Sequence, residues 1–336
     1  TTGTSNTAVG KNALEANTTG NQNVTVGADS MVDNTTGCDN VAVGDNALQK
    51  NTTGLDNVAL GANAIFTKTT GNDNIGIGRN ALYYTTTASS NTAIGKNSMV
   101  TNTTGAQNAA VGCNTLYSNT TGATNVAVGN AALQANTTAS NNTAVGFESL
   151  LANTTGNANV AMGRGALELN TTANNNAAFG RSAGRQITTG GGQTLVGTNA
   201  GCNITTGTNN QVFGDIAGTD AVRNLTTSCS NNIVIGNNSN TAAYIKIDWT
   251  VTSDLRDKTE IKDVKHGLDF VNQITPIEYK FKKSREDNTP TGDTKYGFKA
   301  QEILELEGDN PVIINDEDKE NLKLTSAHLI PVLVNA

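Results

Sequence analysis

A glycine returns every 17 residues through most of this chain, from Gly10, Gly27 and Gly44 to Gly214 without a missed step. A fourteenth, Gly236, follows after a five-residue insertion around Asp220–Leu225. The repeat reads N-x-A-V-G-x-N-A-L-x-x-N-T-T-G-x-x. Seventeen residues are too few for a helix, a strand and two turns. A period this short and this regular therefore restricts the chain to a repeat architecture in which each coil buries its neighbours.

The pattern inside one coil is that of a strand followed by turns. In N-V-A-V-G the apolar residues alternate, as in Val41 and Val43, Val58 and Leu60, and Ile75 and Ile77. Period two puts both members of a pair on one face of a strand. The glycine then ends the strand, at a backbone conformation that other residues resist. A second apolar pair follows three and four residues later, as in Ala47–Leu48 and Ala132–Leu133, and N-T-T-G is turn chemistry. The expected fold is mainly β: a parallel β-solenoid or β-roll shaft of about fourteen coils, stacked ~4.8 Å apart over roughly 65 Å. The Leu, Ile or Met four residues after each glycine in coils 1–10 is expected to form one interior row.

Such a coil offers about four apolar side chains to an interior, most of them small. Burying one Val or Leu contributes ~1.5–3 kcal/mol, against ~1–2 kcal/mol of backbone entropy per ordered residue. Stacked Asn ladders add to the favourable side. Three chains sharing an interior would add more, so a homotrimer is expected. From coil 11 the second apolar position changes from Leu to Gly (Gly184, Gly201, Gly218), and an apolar residue stands three positions later, at Ile187 and Ile204. A change of cross-section is expected there.

Composition divides the chain. Residues 1–252 carry 22 charged side chains and no proline, whereas residues 253–336 carry 29 and all four prolines. The sequence thus implies a shaft over 1–236, a capping strand or connector over 237–252, and a second domain over 253–336. The net charge of −7, with no basic run outside Lys280–Arg285, disfavours nucleic acid as a partner. No apolar run approaches ~20 residues, so no membrane span is expected. Cys38, Cys113, Cys202 and Cys229 occupy unrelated positions of the repeat and read as free thiols. The recurrent N-T-T matches a glycosylation sequon, but its recurrence with the structural period is explained by a turn ladder. Adjacent turn threonines do not form the alternate array that ice binding needs. The Asp spacing does not fit a calcium loop, and His266 and His328 lie apart, so neither a metal nor a cofactor is expected. Clustered carboxylates and an aromatic platform, which a glycan-cleaving enzyme needs, are not apparent in the repeats.

The last 84 residues read as α+β. H-G-L-D-F-V-N-Q-I is amphipathic, with Leu268, Val271 and Ile274 on one face of a helix, and P-I-E-Y-K-F-K alternates as a strand. S-R-E-D-N-T-P-T-G-D reads as a loop, A-Q-E-I-L-E-L-E as a helix, and S-A-H-L-I-P-V-L-V as a last helix. P-V-I-I-N and N-L-K-L flank the acidic turn D-E-D-K-E as a hairpin.

The order S-D-x-R-x-K, P-I-E-Y-K-F, G-F-K-A-Q-E, L-I-P-V-L-V over Ser253–Ala336 resembles the endosialidase-type intramolecular chaperone. That family is a self-cleaving trimerisation domain at the C-terminus of phage tail fibres and spikes. The N-x-A-V-G repeats resemble those upstream of phage fibre chaperone domains, and the head repeats of trimeric bacterial adhesins. The resemblance implies that Ser253 is the nucleophile, that Thr252–Ser253 is the cleaved bond and that Lys258 is the base. Arg256 would favour a neutral Lys258 if it pointed inward, Asp254 would oppose it if close, and Glu302 would orient the site. A free lysine amine titrates near pH ~10.4, so a lysine base requires burial and nearby cations that favour its neutral form by about 4 kcal/mol. Asp257 stands where the family has an apolar residue. The family's long C-terminal helix would follow Ala336, and the chain begins inside a T-T-G turn, so a longer chain is implied at both ends.

The function implied is a trimeric tail fibre or spike of the virion that binds a host-cell surface receptor, with a glycan as one candidate. Its chaperone would set three near-identical repeat chains in register and then cut itself off. The alternative is a cellular trimeric surface adhesin carrying the same chaperone.

Overall fold

A computed structural model of the 336-residue chain describes residues 2–67, 70–219, 224–240, 253–282, 285–316, 319 and 322–336. Its contacts divide the chain into two compact units, Thr1–Asn238 and Ser239–Ala336. The connector expected over 237–252 falls largely outside the described residues.

The first unit is a parallel β-solenoid. Fourteen three-residue strands, from β1 (Thr7–Val9) to β14 (Ile233–Ile235), form one sheet in sequence order. Val24 pairs with Val41 and Val41 with Val58, so the register is the repeat itself. The insertion before β14 lengthens that step to Gln211↔Ile233 without breaking the sheet. Backbone pairing continues beyond the strands. Leu48 N–H donates to Ala64 C=O in the following coil at 2.9 Å, and Asp39 N–H donates to Asn21 C=O in the preceding one at 3.1 Å. Backbone groups of the turns are thereby satisfied between coils as well as within them.

Val41 and Val43 do share a face, but it is the outer one. Ala42 between them is fully buried, as are Ala47 and Leu48. Each coil therefore gives the interior one large side chain and two small ones, a smaller core than the four apolar groups expected. The reason is width. At Gly76, the strand centre of coil 5, an added Cβ would lie only 2.6 Å from Ile65 Cγ1. The row four residues after each glycine fills the interior and leaves the strand centre room for Ala. That row is continuous, as expected: Met31, Leu48, Ile65, Leu82, Met99, Leu116, Leu133, Leu150 and Leu167 are all fully buried.

The bends that close each coil use left-handed backbone at ordinary residues. In coil 3, Asp39, Asn46 and Leu48 have φ of +58°, +54° and +52°. Each such residue costs roughly 1–2 kcal/mol relative to right-handed backbone. The strand-ending Gly44, at φ +136°, occupies a region closed to side chains, and a Cβ there would lie 2.7 Å from the Gly61 carbonyl carbon. The exchange of Leu for Gly from coil 11 follows from the same geometry. Gly184 has φ +59°, where glycine is unstrained, and the volume it vacates is filled by Leu195, the strand centre of the next coil, together with Ile187. A Cβ on Gly184 would lie 2.5 Å from Leu195 Cδ1 and 2.8 Å from Ile187 Cδ1. The expected change of cross-section is thus a repacking of the same interior.

Two buried Asn ladders flank this core. In one, Asn23 Oδ1 accepts from both the backbone N–H and the Nδ2 of Asn40, each at 3.1 Å, and the pattern recurs coil after coil. In the other, Asn34 Nδ2 donates to Asn17 Oδ1 at 3.0 Å, and Asn51 to Asn34 at 2.8 Å. The N-T-T segment is the expected turn ladder, with Thr35 Oγ1 donating to Thr52 C=O at 3.0 Å. Amides that both donate and accept can propagate from coil to coil, which is why Asn rather than Asp recurs, and Asn51 Oδ1, Asn170 Oδ1 and Asn176 Nδ2 are the buried ladder atoms left without a partner among the described residues. The four cysteines are free.

The second unit is small and mixed. β15 (Ile277–Lys282) and β16 (Pro290–Gly297) form an antiparallel hairpin with an irregularity between Tyr279 and Phe281. The stretch expected as a loop therefore ends at Pro290, because T-P-T-G-D pairs back onto P-I-E-Y-K-F-K. The α1 helix (Leu268–Val271) has only four residues, and its buried side chain is Phe270, while Leu268 faces solvent. The longer helix and the Leu268 face expected from periodicity are corrected accordingly. Gly267 caps α1 with no side-chain hydrogen bond, and Asn272 closes it. α2 (Ala300–Glu307) and α3 (Ser326–Asn335) lie where expected. The two-residue strands β17 (Ile314–Asn315) and β18 (Lys323–Leu324) pair as the expected hairpin. The core is Phe270, Ile303, Ile313, Ile314, Leu329 and Val332. No helix among the described residues is long and apolar enough to cross a membrane.

Candidate functional site

The S-D-L-R-D-K stretch folds into one 3-10 turn at Leu255–Asp257. Asp254 caps it, its Oδ1 accepting from Arg256 N–H at 2.9 Å. Lys258 N–H closes the turn on Leu255 C=O at 3.2 Å. A turn of this length folds the chain back far enough for residues five apart to meet. Lys258 Nζ lies 2.8 Å from Ser253 Oγ, within hydrogen-bond reach. As an ammonium it donates to the hydroxyl. As a neutral amine it could accept the hydroxyl proton, which is the contact a serine nucleophile needs from its base.

Arg256 turns back on Asp254. Its Nε lies 3.0 and 3.1 Å from the two carboxylate oxygens, and Nη2 lies 2.5 Å from Oδ2. Hydrogen bonds from the Arg256 side chain hold the Asp254 carboxyl below the usual carboxylate range, and the same contact raises Arg256. The two charges cancel locally, so Arg256 adds little net positive potential at Lys258. Ser253, Asp254, Arg256 and Lys258 are all exposed. Glu302 sits in the first turn of α2, where Lys299 Nζ contacts its Oε1 at 2.5 Å. The structure thus brings Ser253 and Lys258 together, pairs Asp254 with Arg256, and gives Glu302 a different partner. Thr252 lies outside the described residues.

Two features are not picked out by the sequence alone. Glu307, at the end of α2, accepts three backbone N–H groups, from Val312 and Ile313 at 2.7 Å and from Ile314 at 2.9 Å. It thereby holds the chain that leads into β17. An acidic side chain in the last turn of a helix opposes the helix dipole, and that mismatch is the sequence signal that it is held by something else. The second is an aromatic cluster on the side of the shaft. Phe66 and Tyr83, 17 residues apart, stack with ring centroids 4.9 Å apart and planes 13° from parallel. Tyr84 meets Tyr83 edge-on at 4.6 Å. Scattered in sequence, these rings become neighbours because one repeat length is one coil.

Neither a curated protein nor a solved structure matches the chain. A family model does. Residues 253–310, which begin at Ser253 and include Lys258, Glu302 and Glu307, match the family described as chaperone of endosialidase, so a β-solenoid of 17-residue period here precedes an endosialidase-type chaperone segment.

Proposed function

We propose that the chain is a tail-fibre-type attachment protein. Three copies assemble through the chaperone segment, the solenoid forms the shaft on a virion, and the chaperone then cuts itself off between Thr252 and Ser253. The observation that carries this reading is a β-solenoid followed in sequence by a segment of the endosialidase chaperone family. Such a shaft can slip by whole coils at little cost in contacts, and a globular partner domain fixes the offset.

The outer face of the solenoid supports assembly. The third residue of each strand forms one continuous apolar row along the sheet, with Val43 39% exposed and Val128 39% exposed, beside a mixed row of first residues that includes Thr92, Thr143, Thr194 and Gln211. A continuous apolar row of this length supports a contact surface. Three copies of this chain, joined by these rows, would supply the additional burial that a core of three side chains per coil lacks.

The chemistry follows from the Ser253–Lys258 contact. A neutral Lys258 amine takes the proton from Ser253 Oγ as that oxygen attacks the Thr252 carbonyl carbon. The carbon–nitrogen bond breaks, the lysine ammonium returns its proton to the Ser253 nitrogen, and the Thr252 acyl group is left as an ester on Ser253 Oγ. Water hydrolyses the ester, giving a Thr252 carboxylate and restoring the serine hydroxyl. One turnover per chain results. Because Arg256 is matched by Asp254 and Lys258 is exposed in the single chain, the low-dielectric surroundings that favour a neutral amine must come from neighbouring copies. Cleavage therefore waits for assembly.

Mass spectrometry of the purified protein, combined with its native mass, tests the proposal. The expected result is a cut before Ser253 and a native mass of three chains. A monodisperse monomer with full β-signal, or a folded trimer that stays intact for days when extended by the implied C-terminal helix, would overturn it.

A further inference from the structure

Seven aromatic residues fall within residues 1–236, and four of them lie on three nearby coils. Phe66, Tyr83 and Tyr117 share one position of the repeat, five residues after the coil glycine, with Val100 between Tyr83 and Tyr117. Tyr84 widens the row and is 50% exposed, and Tyr117 is 36% exposed. A second row runs beside it. Asn63 donates to Asn80 at 3.4 Å, Asn80 to Asn97 at 3.1 Å and Asn97 to Asn114 at 3.2 Å. The two rows are adjacent: one coil earlier, Gln49 at the aromatic position donates to Asn46 at the amide position at 2.9 Å. Both rows occupy positions of the coil other than the outward valine rows, so assembly through the valines leaves them free.

We propose that this strip is a binding site for a neutral polysaccharide lying along the shaft. The inference rests on the attachment reading and names its ligand class and location. A pyranose presents a flat C–H face and a rim of hydroxyls. Phe66 and Tyr83 stack on each other, so the exposed Tyr84 and Tyr117 rings take the face, and amides that donate and accept take the rim. The side chains of the two rows are uncharged, which suits a neutral glycan, and the exposed Arg79 and Lys96 border the amide row without belonging to it. The coil spacing of ~4.8 Å is comparable with one sugar ring, so the amide row offers a contact to each successive sugar, while the exposed rings stand two coils apart. A protein partner would instead call for a contiguous apolar centre with a polar rim, whereas here rings and amides run side by side.

The test is native gel electrophoresis of the full-length protein through gels containing laminarin, mannan, dextran or galactan. Wild type should be retarded by at least one of them. Tyr84→Ala with Tyr117→Ala should weaken that retardation about tenfold or more, equivalent to about 1.4 kcal/mol. Phe147→Ala, which removes an exposed ring outside the strip, should leave it unchanged. Should the double variant misfold by circular dichroism, Tyr84→Asn alone must weaken retardation about threefold or more. No retardation of wild type in any gel, equal retardation of the variants, or equal loss in Phe147→Ala overturns the assignment. Native mass and processing are measured on the same samples. A processed trimer that ignores all four polysaccharides keeps the attachment-fibre reading and removes only this site.

Discussion

Lys258 Nζ reaches Ser253 Oγ at 2.8 Å across a single 3-10 turn, while the nearest cation in sequence, Arg256, is bound to Asp254. The chain thus supplies the geometry of a Ser/Lys pair, and the lysine lies open to solvent. The contact is present in the single chain, and burial of the amine is not.

Removing either partner should stop cleavage and leave assembly intact. Ser253→Ala and Lys258→Ala are both expected to give a full-length chain of trimeric native mass. Lys258→Arg should fail as well, because a guanidinium stays protonated. Wild-type cleavage, followed by denaturing gel after trimers have formed, should be first order and indifferent to dilution. Cleavage in Lys258→Arg at the wild-type rate would remove Lys258 from the chemistry.

The outward valines give a second test. If the rows join copies of the chain, Val126→Lys with Val128→Lys in coil 8 would bury ammonium groups at each interface, at several kcal/mol apiece. Native mass should fall from trimer to monomer, or the shaft should locally open to protease. If the rows face water, the same change is nearly neutral and raises solubility. Sedimentation equilibrium distinguishes the two.

How far the fold is legible in the sequence depends on which way a side chain points. The period dictates the solenoid, and one large apolar residue recurring at one position places Leu82 and its equivalents inside. Alternation puts Val41 and Val43 on a common face but cannot say which, since period two is symmetric between inside and outside. The deciding fact is three-dimensional: where Leu48 and its equivalents fill the interior the strand centre is a small residue such as Ala42 or Ala59, and a large one, Leu195, stands there only beside Gly184 and Gly201. Ser253 and Lys258 are legible only through a family pattern. The Asp254–Arg256 pairing needs the turn itself, and the Phe66–Tyr83 stack needs the repeat read as a coil.

The shared interior of Ile65 and Gly76 predicts a coupled pair. Gly76→Ala alone should destabilise by about 1–3 kcal/mol, because its Cβ would press on Ile65 Cγ1. Ile65→Leu moves the branch away from Cβ and, joined to Gly76→Ala, recreates the Leu48–Ala59 combination of the preceding coil. In the Ile65→Leu background the Gly76→Ala change should be tolerated, with a coupling energy of about 0.5–3 kcal/mol in a double-mutant cycle. Additive effects would mean that the two residues do not share the space as described.

Leu82 offers the sharpest test of the interior row. Leu82→Asp would place an unpaired charge in the core, at several kcal/mol for each chain, whereas Asn80→Ala removes only ladder hydrogen bonds near the surface and should cost less. A subtler variant copies what coil 11 does. Leu82 has φ +53°, a conformation that glycine adopts freely, so Leu82→Gly relieves backbone strain but opens a cavity. Coil 11 fills the equivalent space from three residues on, with Ile187, and from the next strand centre, with Leu195, where coil 6 has Ala93. The matching residue in coil 5 is Thr85, which is buried and whose Oγ1 has no hydrogen-bond partner. Leu82→Gly alone should lose about 2–5 kcal/mol, as large-to-small core changes do, and Thr85→Ile alone should overpack. Together they should recover part of the stability, because the cavity receives the new side chain and the unpaired hydroxyl is removed, while Ala93 leaves the share that Leu195 fills in coil 11 empty. Thermal unfolding of the four proteins decides it: a double variant no more stable than Leu82→Gly would mean that the coil 11 arrangement depends on more than these two positions.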